Sequence, residues 1–151
     1  MNNNDNNKRR SRRSSVHHRG MGTRGKTPEK VSRYHGVPMS CVFCGCHYRS
    51  KLTVDHVVPR SNGGCSHIWN LLVLCANCNS RRMSQDATKC YSSASKKIKT
   101  IVQFAVEAHE LMMDFPDLYM KMDNNNVMVV HVKNMNDFRK DWFARRDEIA
   151  A

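Results

Sequence analysis

The chain has no long hydrophobic run. Its most extended apolar stretch, Leu71 to Ala76, is six residues, against the roughly 20 that a membrane-spanning helix needs. No apolar segment follows the basic residues near the start, so this end does not read as a secretory signal. A soluble, intracellular protein with no membrane partner is expected, cytoplasmic in a prokaryotic or phage setting and nuclear in a eukaryotic one. Acidic residues are scarce in the first 91 positions, with 4 Asp/Glu against 16 Lys/Arg, whereas residues 92–151 carry 9 of each. The whole +12 excess therefore lies in the N-terminal two thirds. That asymmetry points to a polyanionic partner for this part, nucleic acid above all, although a basic tail can also simply keep a chain soluble. The cysteine count is odd, at seven, which excludes a complete disulfide framework within one chain. Cys41/Cys44 and Cys75/Cys78 share Cys-x2-Cys spacing, and outside the secretory route that spacing favours metal over disulfides.

Three segments differ in character. Residues 1–33 hold an Asn-rich start and the run Lys8-Arg9-Arg10-Ser11-Arg12-Arg13, with too little apolar surface to offset the entropy of ordering, so a disordered basic arm is expected. Residues 34–91 are dense in chemistry. Val42-Phe43 and Leu52-Thr53-Val54 have strand character, Pro59 stops the second of these, Asn62-Gly63-Gly64 signals a loop, and a helix can begin after Cys78. Residues 92–151 read as a mainly helical helix-strand-helix module. Ile98, Ile101/Val102, Ala105, Ala108/His109 and Met112 repeat at helical spacing up to Pro116, Val127 to Val130 reads as a strand, and Asp137 can open a last helix carrying Phe138 and Trp142. The His, Met and aromatic residues of this module read as core and surface, since no ligand-spaced cluster accompanies them.

Two knuckles about thirty residues apart suit a tetrahedral Zn2+, which takes four thiolates at about 2.3 Å. Such an ion would staple a core too small to hold itself, but the same spacing occurs in modules that only bind. Between the knuckles lie Asp55-His56, the loop Pro59-Arg60-Ser61-Asn62-Gly63-Gly64 and Asn70-Leu71; Asn79 follows the second knuckle at once. An imidazole titrating near pH 6.5 can take a proton from water at neutral pH. A carboxylate and an amide oxygen suit a hard ion such as Mg2+, which can also bind a substrate phosphate. Strand neighbours point to opposite faces, so Asp55 and His56 can serve one site only if the strand twists or ends there, or if His56 addresses the substrate from across the pair.

From Cys41 to about Arg82 this order of motifs resembles the HNH endonuclease family, the four-cysteine branch of the ββα-metal nucleases. The resemblance implies an α+β fold: a small zinc-stapled ββα-metal core between the basic arm and the C-terminal module. It implies that Cys41, Cys44, Cys75 and Cys78 hold a structural Zn2+, that His56 is the general base, and that Asp55 and Asn79 hold a catalytic Mg2+ or Mn2+. Asn70 matches the middle Asn of the motif, whose role is to brace the loop and orient the base. Asn79 can alternatively help to begin the helix. Arg60, Arg81 and Arg82 are either solvated or phosphate contacts on DNA, and Arg82, three residues beyond Asn79, would share its helix face. Cys46, His47, Cys65, His67 and Cys90 have no counterpart in the family core; Cys46 competes for the knuckle and His67 for a proton or metal role.

The expected function is a metal-dependent DNA endonuclease that hydrolyses phosphodiester bonds. The alternative is a non-catalytic zinc module that binds DNA or RNA on the same scaffold, or an assembly protein presenting residues 92–151. A homodimer or a protein partner through residues 92–151 is left open, as are the recognition sequence and the choice between nicking and double-strand cleavage.

Overall fold

The computed structural model describes residues 25–83, 85–126 and 128–150. The basic run at 8–13 lies outside them. The first described element, helix α1 (Pro28–His35), crosses the boundary expected at residue 33, taking its first six residues from the segment expected as an arm. Its start is chemically marked: the Thr27 hydroxyl accepts from Lys30 N–H, Pro28 takes the first turn, and Gly36 at φ 61° ends the helix. Val31 and His35 face inward, and His35 Nε2–H donates to Leu71 O at 2.8 Å. α1 is thereby fastened to the sheet.

Strands β1 (Leu52–His56) and β2 (Leu71–Cys75) pair antiparallel, with Leu52 opposite Cys75 and His56 opposite Leu71. Every residue of β2 is buried, which the unbroken apolar run Leu71–Leu74 allows, because α1 and α2 (Ala76–Arg82) both pack against this strand. The connection from residue 57 to residue 70 would be long for a tight core loop, but its base is closed. Val57 N–H donates to Asn70 O at 2.8 Å. Gly63 sits at φ 85°, a left-handed conformation that favours glycine, and a Cβ on Gly64 would come within 1.8 Å of Val58 O, so each glycine of the pair is required for its own reason.

After a short helix α3 (Ala87–Cys90), the 19-residue α4 (Lys96–Asp114) buries Ile98, Ile101, Val102, Phe104, Ala105, Ala108 and Met112, the face that helical spacing predicts. Phe104 contacts Trp69 edge-on at 6.0 Å and also meets Phe138, Trp142 and Phe143 of α6 (Val132–Ala150). One apolar core therefore joins the ββα segment to the C-terminal helices.

Two details depart from the sequence expectation. The turn helix α5 (Pro116–Tyr119) leads into a small hairpin of β3 (Met120–Met122) and β4 (Met128–Val130). The last helix opens at Val132 instead of Asp137: Met135 N–H bonds to His131 O, and Met135 is buried, so tertiary packing starts the helix before the polar cap residue.

Candidate metal and nuclease site

The Sγ atoms of Cys41, Cys44, Cys75 and Cys78 all lie within 4.8 Å of one another. Cys44 and Cys75 Sγ are 3.7 Å apart, and two thiolates bound tetrahedrally at about 2.3 Å should be separated by about 3.8 Å. The first pair comes from a tight turn in which Gly45, at φ 72°, donates to Cys41 O and Cys41 N–H donates to Cys46 O. The second pair joins the end of β2 to the first turn of α2, where Cys75 Sγ caps the helix by accepting from Cys78 N–H at 3.4 Å. That bond heads the causes that lower the Cys75 thiol to about 7, whereas desolvation and neighbouring sulfurs push Cys78 upward. Crowded thiols of this kind suit a cation that binds them as thiolates. Cys46 contributes its carbonyl and is not among the four clustered sulfurs, which answers the question of register. Cys65 is buried, with burial raising its thiol to about 11.

The second cluster lies where β1 ends. Thr53 and Asp55 share one strand face, and α2 lies against it. Asn79 Nδ2 donates to Thr53 Oγ1 at 3.3 Å, and Arg82 Nη1 donates to Asp55 Oδ2 at 2.6 Å. Thr53 in turn donates to Leu74 O, so the amide of Asn79 is held with Oδ1 left over. Arg82 also donates to His56 O at 2.8 Å and to Val57 O at 2.5 Å, and its guanidinium lies 5.3 Å from the Tyr91 ring centre. It is 3 % exposed, and those acceptors engage both terminal nitrogens. Its expected place at a phosphate surface is therefore corrected: Arg82 is an internal clamp on the end of β1. Arg60 and Arg81 are exposed.

His56 is half-buried, with Nε2 2.8 Å from Ser66 Oγ. Desolvation lowers its pKa below the ordinary histidine value; Asp55 opposes that shift, and Arg60, Arg82 and Lys26 add to it. The imidazole is thus mainly neutral at pH 7, with Asp55 and Arg60 in electrostatic range. The strand ends at His56, and Val57 N–H turns to Asn70 O, so the regular alternation of the pleat stops at this residue. Asn70 is 0 % exposed. Its Oδ1 accepts from Val58 N–H at 2.9 Å, and its Nδ2 donates to Val58 O at 3.1 Å and Cys65 O at 2.7 Å. Asn70 closes the loop and has no exposed surface, an arrangement that agrees with the bracing position expected of it.

His67 is also drawn inward. Burial lowers it to about 4, its ring lies 5.9 Å from that of Trp69, and Nδ1 has no protein hydrogen-bond partner. Among the described residues, the four cysteines are the metal-capable cluster of His, Cys, Asp and Glu, and His67 is outside it. Two contacts were not legible beforehand: Thr53, an ordinary strand residue, and Ser66, whose Oγ meets His56 only because the loop folds back. No sequence signal marks either.

Among the described residues no helix is long and apolar enough to cross a membrane. Comparisons with curated proteins and with solved structures return no match. A family model described as HNH endonuclease matches residues 41–85, a span that contains both knuckles, β1, β2, α2 and the connecting loop; over that segment the chain is similar to an HNH domain, and its four clustered cysteines could hold a metal ion such as zinc.

Proposed function

We propose that the chain is a metal-dependent HNH endonuclease that hydrolyses phosphodiester bonds in DNA, with His56 as general base, Asp55 and Asn79 as ligands of a hard divalent ion, and zinc in a purely structural role. The observation that carries this reading is the pairing at the end of β1: a neutral imidazole held by Ser66, beside a carboxylate held by Arg82 on the face that Asn79 shares. A zinc module that only binds needs none of these three contacts.

The donor set fits Mg2+ or Mn2+. Asp55 has one oxygen on Arg82 and the other to offer, and Asn79 offers Oδ1; carboxylate and amide oxygens are the preferred ligands of such ions. When bound, the ion would supply Lewis-acid charge to the phosphate. The remaining chemistry belongs to the side chains. His56, deprotonated at neutral pH, accepts a proton from water; the water oxygen forms the new bond to phosphorus while the bond to one ester oxygen breaks, and that oxygen leaves with a proton from solvent. Arg60 and Arg81 are exposed and are the cations assigned here to phosphates of the duplex, and the basic run at 8–13 adds salt-sensitive affinity.

A supercoiled plasmid incubated with the protein and Mg2+ or Mn2+ tests the reading. His56→Ala should lower nicking by about 10²- to 10⁴-fold while DNA binding persists. Equal cleavage by wild type and His56→Ala sinks the mechanism, and binding without cleavage by the wild type favours the non-catalytic module.

A further inference from the structure

His56 is held by Ser66, and what holds Ser66 comes from outside the HNH-matched segment. Lys26 Nζ donates to the Ser66 carbonyl at 2.5 Å, across forty positions of sequence. Ser66 is 8 % exposed, so its carbonyl needs a partner within the protein. The preceding carbonyl, Cys65 O, is taken by Asn70 Nδ2 at 2.7 Å. Two successive carbonyls of the loop are thus pinned by two different side chains, one from within the domain and one from the segment before α1. The Lys26 bond is charge-assisted and so the stronger kind.

Lys26 is itself well placed to act as an anchor. It directly precedes the Thr27 cap of α1, Lys30 Nζ donates to Gly25 O at 2.9 Å behind it, and α1 is fastened to β2 through Val31 and the His35–Leu71 bond. The amine is half-buried, and desolvation lowers its pKa. A lysine that served only to attract phosphate would extend into solvent.

We infer that Lys26 is a positioning residue for His56: through the Ser66 carbonyl it fixes the Ser66 hydroxyl on Nε2, so that the ring is locked and Nδ1 is the nitrogen turned to the attacking water. This inference rests on the nuclease reading for its kinetic consequence, but not for its structural one. It also makes the segment that leads into α1, before residue 41, a working part of the site.

The test uses the full chain with Lys26→Met, Lys26→Ala, Lys26→Arg, Ser66→Ala and the double variant Lys26→Met/Ser66→Ala. Loss of a residue that orients a functional histidine typically lowers activity about 10- to 100-fold. Plasmid cleavage at saturating Mg2+ should show that loss in kcat for Lys26→Met with KM unchanged, and recovery to within a few-fold in Lys26→Arg. The double variant should be no slower than Ser66→Ala alone, since both act through one bond. A rise in KM at constant kcat would make Lys26 a substrate contact and overturn the inference, as would losses that multiply in the double variant. Nitrogen-15 NMR of the histidine rings supplies a readout independent of cleavage. His56 should hold one tautomer in the wild type and average between two in Lys26→Met or, should that variant not fold, in Lys26→Ala. Unchanged His56 signals overturn the inference whether or not the protein cuts DNA, whereas a wild type that does not cut sinks the nuclease reading and leaves the NMR comparison decisive.

Discussion

Replacing Asn70 separates a residue that touches substrate from one that holds the loop. In Asn70→Ala three buried groups lose their partner together: Val58 N–H, Val58 O and Cys65 O, now bonded at 2.9, 3.1 and 2.7 Å. A buried polar group left unsatisfied costs about 1–3 kcal/mol. The loop can relax and a water can enter, so the net destabilisation should be roughly 3–5 kcal/mol, a large share of the 5–15 kcal/mol typical of a domain. Asn70→Asp sharpens the comparison at constant shape. Its carboxylate can still accept from Val58 N–H, but it puts negative charge against the two carbonyls where an amide donated, so it should be no more stable than Asn70→Ala. Denaturant unfolding of the zinc-loaded protein measures both. Cleavage should fall in both variants too, because Ser66 immediately follows the released Cys65 carbonyl and His56 loses its alignment. An Asn70→Ala protein within about 1 kcal/mol of wild type but devoid of activity would refute this reasoning and return Asn70 to the reacting groups.

Three further outcomes are expected. The protein as isolated should carry about one zinc per chain, and Cys75→Ser, which removes both a ligand and the sulfur cap of α2, should lose the ion and its cooperative melting transition; an unchanged transition in metal-free protein would end that claim. Arg82→Met should destabilise by on the order of 3 kcal/mol by leaving Asp55 unpaired, whereas Arg81→Ala should leave the melting temperature in place and weaken DNA binding most at low salt; the reverse pattern in titrations and melts would show that the two arginines were misassigned. His35 and His67, both lowered to about 4 by burial, are neutral in the fold and protonate near pH 6.5 when unfolded. Their contribution is therefore complete above about pH 6.5 and is lost as pH falls toward 4; His35→Gln, which can still donate to Leu71 O, should flatten that slope, and an unfolding free energy level from pH 7 to 5 would contradict it.

What the residues disclosed in advance follows how local the controlling interaction is. α4 was legible because its apolar face repeats within the helix itself, and the cysteine cluster was legible because each Cys-x2-Cys pair spans four residues. The Gly-Gly loop was visible as a turn, and the structure adds the reason: the approach of Gly64 to Val58 O. α1 carries local end signals in Thr27, Pro28 and Gly36, but its short run sits among charges, and the inward face that secures it is defined by contact with β2 through the His35–Leu71 bond. Ser66 and Lys26 were beyond reach for the same reason. A serine and a lysine carry no pattern, and their meaning is created by contacts ten and forty positions away.

Arg82 shows that which residues share a helix face and where that face looks are decided by different interactions. Residues 79 and 82 do share a face of α2, as spacing requires. The orientation of that face is set elsewhere. Cys75 and Cys78 tie the first turn of α2 to the knuckle, and β1 lies directly beneath, so the face carrying Asn79 looks at Thr53 and Asp55. A residue that shares a face with a ligand aimed at the strand must itself be aimed at the strand. If Asn79 is to reach an ion beside Asp55, Arg82 is committed inward, and its terminal nitrogens are taken up by Asp55 Oδ2, His56 O and Val57 O. Arg81, rotated by about 100° on the same helix, is then the cation left to meet a phosphate. The placement that removes Arg82 from the DNA surface is thus the same one that holds Asp55 and the end of β1 in register for His56.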